Sequence, residues 1–195
     1  RWQLIPSPIE PVTFLLVARL LREKGIEDYA SAACIVKQRH PNARFVLLGG
    51  LDDNPGALTE ADVRAWVAEG ILEWHGHVPV QPWMELASVY VLPSYREGVP
   101  VSTQEAMAAG RAVITTDVPG CRQTVVDNVN GFLVPPRCPQ ALAEAMFRFI
   151  EQPELITSMG EKSLLMAQER FDVQKVNARL MAFLLAEDGM HETSF

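Results

Sequence analysis

The sequence predicts an α/β fold, a Rossmann-like doubly wound parallel sheet with helices on both faces. Two observations lead to this prediction. Short apolar runs recur along the chain, and each is too continuously apolar to leave one face in water. Between them lie segments whose apolar residues repeat at helical spacing, so strands and helices alternate. The 195 residues, 48% of them hydrophobic, suffice for one sizeable domain of this kind.

The strands are assigned from these apolar runs. Four runs are strong because they are apolar throughout, which is typical of a buried parallel strand. Two further runs are shorter and are weaker candidates. The strong strands are residues 12–18, 44–48, 88–92 and 112–116, and the weaker ones are residues 72–74 and 131–134.

Helices are predicted where apolar side chains repeat every three or four residues. The first starts near Ile26, and the next covers residues 81–87, with Pro82 in its first turn, where a missing N–H costs nothing. Another helix runs through residues 104–109 and ends at Gly110, because glycine favours helix ends.

The last part of the chain is predicted to be almost entirely helical from Pro139 onward. We expect one domain over residues 1–195, with an α/β core over about residues 10–170. A final helix over about residues 171–195 has a narrow apolar stripe. The stripe consists of Val176, Leu180, Phe183 and Leu184.

Composition and termini exclude several classes of protein. A net charge of −7 argues against nonspecific nucleic-acid binding, which needs a basic face. No apolar run reaches the roughly 18 residues of a membrane span, and no signal peptide is apparent at the start. Because the chain begins at Arg1, we expect it to be a piece of a longer protein. Cys34, Cys121 and Cys138 form no CxxC pair, which favours reduced thiols in a cytoplasmic protein.

In a doubly wound sheet, ligands bind beyond the carboxyl ends of the strands. The first predicted strand is followed by Arg19 and Lys24, which do not form a GxGxxG dinucleotide turn. The second is followed by Gly49 and Gly50, where a backbone can approach a ligand closely. The third strong strand is followed by residues 93–101, which lead into a helix.

The start of that helix is the most informative segment. Pro100 is predicted at or just before its first turn, and Ser102 or Thr103 is expected to cap its free amides. Open amides at a helix start attract anions, so a diphosphate fits there. Glu97 precedes the helix and Glu105 lies about one turn inside it. Because carboxylates only accept hydrogen bonds, both suit the hydroxyls of sugars.

A metal site is not predicted. His75 and His77 are expected on one face of a strand, which would make a possible metal pair. No third ligand follows at a suitable spacing, so we expect no metal and no cofactor.

Four ordered blocks give the chain a resemblance to a known family. Residues 94–110 hold Glu97 and Glu105 eight positions apart, and this block resembles the signature of family-four glycosyltransferases of the GT-B type. Residues 17–25, 113–120 and 130–134 look like further blocks of that family, in the expected order. The resemblance covers about residues 10–185. The family often has glycine at Asn128 and glutamate near Gln123, where this sequence departs from it, as it does at Ala18 and Ala112.

The resemblance implies roles for individual residues. Arg19 and Lys24 would bind the donor diphosphate, and Glu97 would hold the donor sugar, so these three are the expected catalytic residues. Glu105 would accept hydrogen bonds from the ribose. The remaining expected donor-binding residues are Gly98, Val99, Pro100 and Val101 around the sugar, and Gly49, His77 and Val78 around the base.

The resemblance also implies a reaction. The complete enzyme would transfer a sugar from a nucleotide diphosphate to an acceptor hydroxyl with retention of configuration, without a metal. Residues 48–55 and 118–122 look similar to bacterial enzymes that extend lipid-linked glycans for surface polysaccharides such as lipopolysaccharide, which commonly use UDP-activated hexoses or N-acetylhexosamines. The N-terminal acceptor domain of the family is absent from this chain, so we expect the chain alone to bind donor weakly and to be inactive. The complete protein would be cytoplasmic, with possible peripheral association with the membrane.

Four other functions are alternatives to a transferase. A nucleotide-sugar epimerase or a glycoside phosphorylase could use the same fold, but the Arg19 and Lys24 pair together with Glu97 and Glu105 favours a transferase. A noncatalytic nucleotide-sugar-binding module is an alternative that the sequence does not reject. A glycosidase needs two carboxylates that flank the anomeric carbon, whereas these two would line up along the donor.

Overall fold

The structure is a computed structural model that describes residues 6–171. Within these residues, six parallel strands form one sheet, which confirms the predicted fold class. All six agree with the predicted strands to within one residue at either end. The strands are β1 (Thr13–Val17), β2 (Arg44–Leu48), β3 (Glu73–Trp74), β4 (Val89–Leu92), β5 (Ala112–Thr116) and β6 (Gly131–Val134). They are ordered β3-β2-β1-β4-β5-β6.

Helices cover both faces of this sheet. In the described part of the chain they are α1 (Ile26–Arg39), α2 (Glu60–Ala68), α3 (Gln81–Leu86), α4 (Val101–Ala108), α5 (Pro119–Arg122), α6 (Pro139–Glu151) and α7 (Glu154–Arg170). Helices α1, α2 and α6 contribute to the apolar core on one face, together with Ile156 and Met159 of α7. Helices α3 and α4 contribute to the core on the other face, where α7 joins them through Ala167. The fold is therefore doubly wound, as predicted.

Strand β1 lies in the middle of the sheet, and its position beside β4 determines where the candidate site is expected. Successive side chains of a strand point to opposite faces, and accordingly Phe14 packs in the α1 core while Leu15 packs in the α4 core. Phe14 pairs with Phe45 of β2 on one side and with Val89 of β4 on the other. The chain order thus reverses between β1 and β4, and the loops after these two strands lie side by side, where doubly wound sheets bind ligands.

Two helices of the structure, α2 and α5, are not predicted by apolar spacing. In α2 only Val63 is buried, so the helix has no apolar stripe to detect. Its start is fixed instead by a capping box, in which Thr59 Oγ1 accepts from the Asp62 amide and Asp62 accepts from the Thr59 amide. Helix α5 is only four residues long. The final predicted helix, over about residues 171–195, lies outside the described residues.

The structure bears on the predictions for the cysteines and for membrane-spanning helices. Cys34, Cys121 and Cys138 are all free thiols, and they are exposed, buried and half-buried respectively. Among residues 6–171, no helix combines the length and the apolar character that crossing a membrane requires.

Helix α7 packs closely on the turn before β5 through Gly160. A Cβ at this position would lie only 2.2 Å from the carbonyl oxygen of Gly110. Alanine favours a helix over glycine by about 1 kcal/mol, whereas overpacking costs about 1–3 kcal/mol. Because the contacted atom belongs to the backbone and cannot rotate away, we expect the overpacking cost at its upper end, about 2–3 kcal/mol. After the gain in helix propensity, Gly160→Ala should lower the free energy of unfolding by about 1–2 kcal/mol, measured by urea denaturation.

Ser158 gives a matched control for this prediction because it is exposed on the same helix. Ser158→Ala should leave the stability unchanged or raise it slightly, since alanine favours helix and nothing is overpacked. A Gly160→Ala protein as stable as the wild type would contradict the close contact with Gly110.

Candidate functional site

The loops after β1 and β4 enclose a cavity of about 230 Å³ at the carboxyl edge of the sheet. Its wall combines the end of β1, the cations that follow it and the first turn of α4. The lining residues are Val17, Ala18, Arg19, Lys24, Leu92, Glu97, Pro100, Val101 and Ser102. The structure therefore brings the three expected catalytic residues together in one cavity.

Lys24 and Glu97 form an ion pair across this cavity. The Lys24 Nζ atom lies 2.7 Å from Glu97 Oε1, and the two side chains are only 19% and 12% exposed. A short 3₁₀ turn, Arg22–Lys24, carries the lysine and ends at Gly25, whose φ is 71°. A Cβ on Gly25 would lie 2.0 Å from the carbonyl oxygen of Pro93. Glycine at this position thus allows the turn to pack against the loop after β4.

The pairing of these two residues is a finding of the structure. The family resemblance implies that Lys24 binds the diphosphate and Glu97 the sugar, but it does not predict that the two residues contact each other. An ammonium group has three N–H donors. Glu97 accepts from one of them, so Lys24 keeps donors for a phosphate. The phosphate and sugar of one ligand would then lie next to each other.

Arg19 reaches the cavity from a more exposed position. Its Nη1 atom lies 2.9 Å from Asp52 Oδ2, with the Arg19 side chain 70% exposed and that of Asp52 17% exposed. The other oxygen of Asp52 accepts from the Asn54 amide at 2.9 Å. Sequence reasoning missed this role of Asp52, since nothing local links it to a residue 33 positions earlier.

The start of α4 differs from the prediction. The helix begins at Val101, with Pro100 as its N-cap, and no side chain of the described residues caps it. The expectation that Ser102 or Thr103 caps the helix is wrong, because both lie within its first turn and not before it. The first amides of a helix have no partner within the helix. They are therefore available at the cavity for an anion, as predicted for the diphosphate.

Glu105 lies one turn further along α4 and lines a second cavity. This cavity has a volume of about 250 Å³. Its wall comes from α3, the residue before it and the exposed side of α4. The lining residues are Val80, Gln81, Met84, Glu105 and Ala109. The structure thus places Glu97 and Glu105 on the walls of different cavities along the same helix, as expected if they contact different parts of an extended ligand.

The residues expected around the base come from the loops after β2 and β3. The Gly49 amide donates to the Gly76 carbonyl at 2.8 Å, and the Trp74 indole donates to the Gly49 carbonyl at 2.9 Å. A Cβ on Gly50 would lie 3.7 Å from the Cβ of His77. The loops that carry Gly49, His77 and its neighbour Val78 are therefore adjacent. The reason for glycine at position 49 is the chain itself, because a Cβ there would lie 1.7 Å from the Ala18 carbonyl.

The expected position of the two histidines is wrong. Strand β3 ends at Trp74, so His75 and His77 lie in the loop after it and not on one strand face. The imidazole of His75 packs instead on the Trp83 ring, with centroids 4.1 Å apart. Among the described residues, no group of three or more His, Cys, Asp or Glu side chains is arranged to hold a metal ion.

Helix α5 packs against the backbone of the loop that carries Glu97. A Cβ on Gly120 would lie 1.6 Å from the Gly98 carbonyl oxygen and 2.2 Å from that of Glu97. The two backbones are therefore in contact, and only glycine fits between them. Gly120 belongs to a sequence block that supports the family resemblance, but nothing in the sequence indicates what it contacts.

Tyr95 connects the loop that carries Glu97 to the turn after β1. Its amide donates to the Glu23 carbonyl at 2.8 Å, which ties the loop to the turn that carries Lys24. The Arg137 guanidinium lies 4.0 Å from the Tyr95 ring centroid. Burial, together with the neighbouring Asp28 carboxylate, raises the pKa of Tyr95 to about 12, so its hydroxyl stays protonated at physiological pH.

A larger cavity lies elsewhere in the described part of the chain. It measures about 710 Å³ and is lined by Ile9, Val12, His40, Ala43 and Ile150 among others. Val12 and Ala43 directly precede β1 and β2, so this cavity opens at the amino edge of the sheet. Ligands of doubly wound folds bind at the opposite edge. We therefore assign the site by chemistry and position and not by cavity size.

Comparison with protein families identifies the chain. Residues 11–152 match the family described as glycosyl transferases group 1. This chain belongs to the glycosyl transferases group 1 family. The match includes Arg19, Lys24, Glu97 and Glu105, and it confirms the resemblance seen in the four sequence blocks.

Curated relatives of this glycosyl transferases group 1 chain are bacterial. It is 27% identical over 163 residues to the N,N'-diacetylbacillosaminyl-diphospho-undecaprenol alpha-1,3-N-acetylgalactosaminyltransferase of Campylobacter jejuni, covering 83% of this chain and 41% of that protein. It is 30% identical over 152 residues to the amylovoran biosynthesis glycosyltransferase of Erwinia amylovora, covering 71% of this chain and 36% of that protein. The chain thus spans about two fifths of the length of these relatives.

Solved structures of glycosyltransferases share the fold. The C-terminal domain of a glycosyl transferase group 1 family protein from Francisella tularensis aligns with a TM-score of 0.73 at 22% identity, covering 87% of this chain and 89% of that one. Anabaena HepE, solved in complex with UDP-glucose, aligns with a TM-score of 0.75 at 22% identity, covering 91% of this chain and 50% of that one. These likenesses describe the fold of the whole α/β unit.

Proposed function

We propose that this chain is the donor-binding domain of a retaining glycosyltransferase, which transfers a sugar from a UDP-sugar to an acceptor hydroxyl in bacterial glycan or polysaccharide biosynthesis. The observation that carries the proposal is the Lys24–Glu97 ion pair beside the uncapped start of α4. A cation and open amides suit a diphosphate, and an adjacent carboxylate suits sugar hydroxyls. Family membership and the transferase names of the relatives support the choice.

In the proposed reaction, the cations stabilise the leaving diphosphate. Breaking the bond between the sugar and the diphosphate develops negative charge on the leaving oxygen. Lys24, Arg19 and the amides of the first turn of α4 surround the cavity where this charge would form. One such preorganised donor contributes about 2.7–4 kcal/mol to lowering a barrier. The departing phosphate would take the proton of the acceptor hydroxyl, so the reaction needs no metal or other cofactor.

The rest of the donor would extend along α4. Glu97 and the backbone of residues 98–101 would hold the sugar, and Glu105 would accept from the ribose hydroxyls. The base would lie against Gly49, His77 and Val78, where the loops after β2 and β3 meet. The solved HepE complex with UDP-glucose supports UDP as the nucleotide, since its fold is shared.

The acceptor would bind to a second, N-terminal domain. The chain spans only about two fifths of its curated relatives, which leaves room for such a domain in the complete protein. The diphospho-undecaprenol substrate in the name of the Campylobacter jejuni relative supports a lipid-linked glycan as acceptor. We propose accordingly that the complete protein acts in the cytoplasm, associated with the inner face of the membrane.

The first test is isothermal titration calorimetry of the chain with UDP, GDP, ADP and UDP-sugars. We expect selective binding of UDP, weakened about tenfold or more by Arg19→Ala and by Glu105→Ala, because each removes a charge-assisted contact worth about 1.5–3 kcal/mol. Arg39→Ala is the matched control, since Arg39 pairs with Glu151 at the amino edge of the sheet.

Three outcomes would contradict the proposal. Equal weakening by Arg39→Ala would show that the effect of Arg19→Ala is general electrostatics and not a contact. Conversion of a UDP-sugar by the complete protein without any acceptor would favour an epimerase, and binding without turnover in the presence of acceptor would favour a noncatalytic module.

A further inference from the structure

Ser94 donates a hydrogen bond to the carboxylate of Glu97, which is expected to bind the donor sugar, and the proposed function gives Ser94 no role. It follows β4 by two positions and is fully buried. Its Oγ donates to Glu97 Oε1 at 2.7 Å. Ser94 does not line the cavity that Glu97 and Lys24 share, so any ligand there would meet Ser94 only through Glu97.

The two groups that donate hydrogen bonds to Glu97 both contact the same carboxylate oxygen. Lys24 Nζ also lies 2.7 Å from Oε1, so this atom accepts from Ser94 and from Lys24 together. Within residues 6–171, no donor contacts the other oxygen, Oε2. The carboxylate is therefore anchored at one atom and leaves the second atom for a ligand.

Ser94 is itself held in place by the sheet. The Thr116 hydroxyl, buried in β5, donates to the Ser94 carbonyl. The preceding residue, Pro93, contacts Gly25, where a Cβ would lie 2.0 Å from the Pro93 carbonyl oxygen. The backbone of Ser94 is thus fixed by neighbours on two sides, and its hydroxyl is a rigid support for Glu97.

We propose that Ser94 is a positioning residue, which holds Glu97 so that Oε2 remains directed at the hydroxyls of the donor sugar; this inference rests on the proposed function. The serine matters most when a donor is bound. A diphosphate attracts the long, flexible Lys24 side chain toward itself. Ser94 then remains as the contact that keeps the Glu97 carboxylate in its orientation.

This role predicts a selective defect in binding. Removing the hydroxyl should weaken binding of the sugar portion of the donor and leave binding of the diphosphate unchanged. The test compares UDP with UDP-glucose and UDP-N-acetylglucosamine by isothermal titration calorimetry. In Ser94→Ala we expect the ratio of the Kd of the tighter UDP-sugar to the Kd of UDP to rise about tenfold, the size of one lost hydrogen bond to a charged group.

Two further variants serve as a comparison and as a control for this measurement. Glu97→Gln should raise the same ratio at least as much, because it alters the carboxylate itself. Ser88→Ala is the matched control: Ser88 is an equally buried serine immediately before β4, where its hydroxyl accepts from the Thr13 amide at 2.9 Å. It should lower stability without changing the ratio.

The outcomes separate this inference from the proposed function. A raised ratio in Glu97→Gln with a normal ratio in Ser94→Ala would overturn the role of Ser94 and leave the function intact. A similar rise in Ser88→Ala would show that lost stability explains the effect, and would also overturn it. A wild-type chain that binds neither UDP nor the UDP-sugars would contradict the proposed function, and this inference with it.

Discussion

Replacing Lys24 with methionine is expected to lower the kcat of the complete enzyme about 10²–10³-fold, because loss of one preorganised electrostatic donor at the developing charge has effects of this size. Methionine has an unbranched apolar side chain similar to the stem of lysine, so the substitution removes the ammonium group, with its charge and its donors. The Lys24 side chain is 19% exposed and points into the cavity, so bulk water does not replace it well. The measurement is steady-state kinetics with a UDP-sugar and acceptor.

Arg22→Met is the control for this variant. Arg22 lies in the same 3₁₀ turn, but its side chain is 46% exposed and pairs with Glu27 and Asp62 away from the cavity. Its replacement should leave kcat unchanged. An unchanged kcat in the Lys24 variant would refute the role of this cation in the reaction.

A double variant separates two explanations of the Lys24 effect. Lys24→Met leaves the half-buried Glu97 carboxylate without its cation, and an uncompensated charge is costly in itself. If this cost caused the defect, Lys24→Met combined with Glu97→Gln would recover activity. We expect no recovery, because both groups act on the donor directly.

Replacing Gly120 with alanine is expected to have the second largest effect. The added methyl group would lie 1.6 Å from the Gly98 carbonyl oxygen, so either α5 or the Glu97 loop must move. Overpacking of this kind costs about 1–3 kcal/mol. A displaced loop breaks the alignment of Glu97 with Lys24, and we expect the Kd for a UDP-sugar to rise at least about tenfold.

Gly56→Ala is the control for the Gly120 variant. Gly56 also lies in a loop near the site, but a Cβ there would meet the nearest atom, Asn54 Oδ1, at an ordinary 3.4 Å. This substitution should leave donor binding unchanged. Normal donor binding by the Gly120→Ala protein would show that the loop tolerates displacement, and that its position is not set by α5.

The fold was predictable because most of its strands are buried on both faces, β3 being half-buried. Such strands are apolar throughout, and β2, β5 and β6 begin and end at the predicted residues. Helix α2 was not predictable from spacing, since it buries only Val63 and depends on its cap. The predicted cap of α4 is wrong for a different reason. Ser102 and Thr103 are good capping residues, but the N-cap position is occupied by Pro100, so both lie within the first turn.

The candidate site was predictable only as a set of residues. Chain order and strand ends indicate that Arg19, Lys24 and Glu97 lie at one edge of the sheet. The partner of each is set by contacts between distant segments, such as the 73 positions that separate Lys24 from Glu97. Local sequence carries no information on such distances, so the supporting roles of Asp52 and Gly120 appear only in three dimensions.

Asn128 shows how a departure from the family pattern is accommodated. The resemblance described above implies glycine at this position, and Asn128 has a φ of 62°, in the left-handed region. Asparagine tolerates this conformation better than most residues. Its side chain also accepts from Arg148 at 2.9 Å, so the substitution preserves the turn before β6.

The ion pair between Lys24 and Glu97 has a consequence for product release. In the proposed reaction, the diphosphate binds Lys24 while the sugar occupies Glu97. When the sugar has been transferred, the carboxylate loses its hydroxyl partners while it faces the dianionic nucleotide. Glu97 then competes for the Lys24 ammonium, with which it forms an ion pair in the structure. Under the proposed function, we therefore expect the same pair to favour departure of the spent nucleotide before the next turnover.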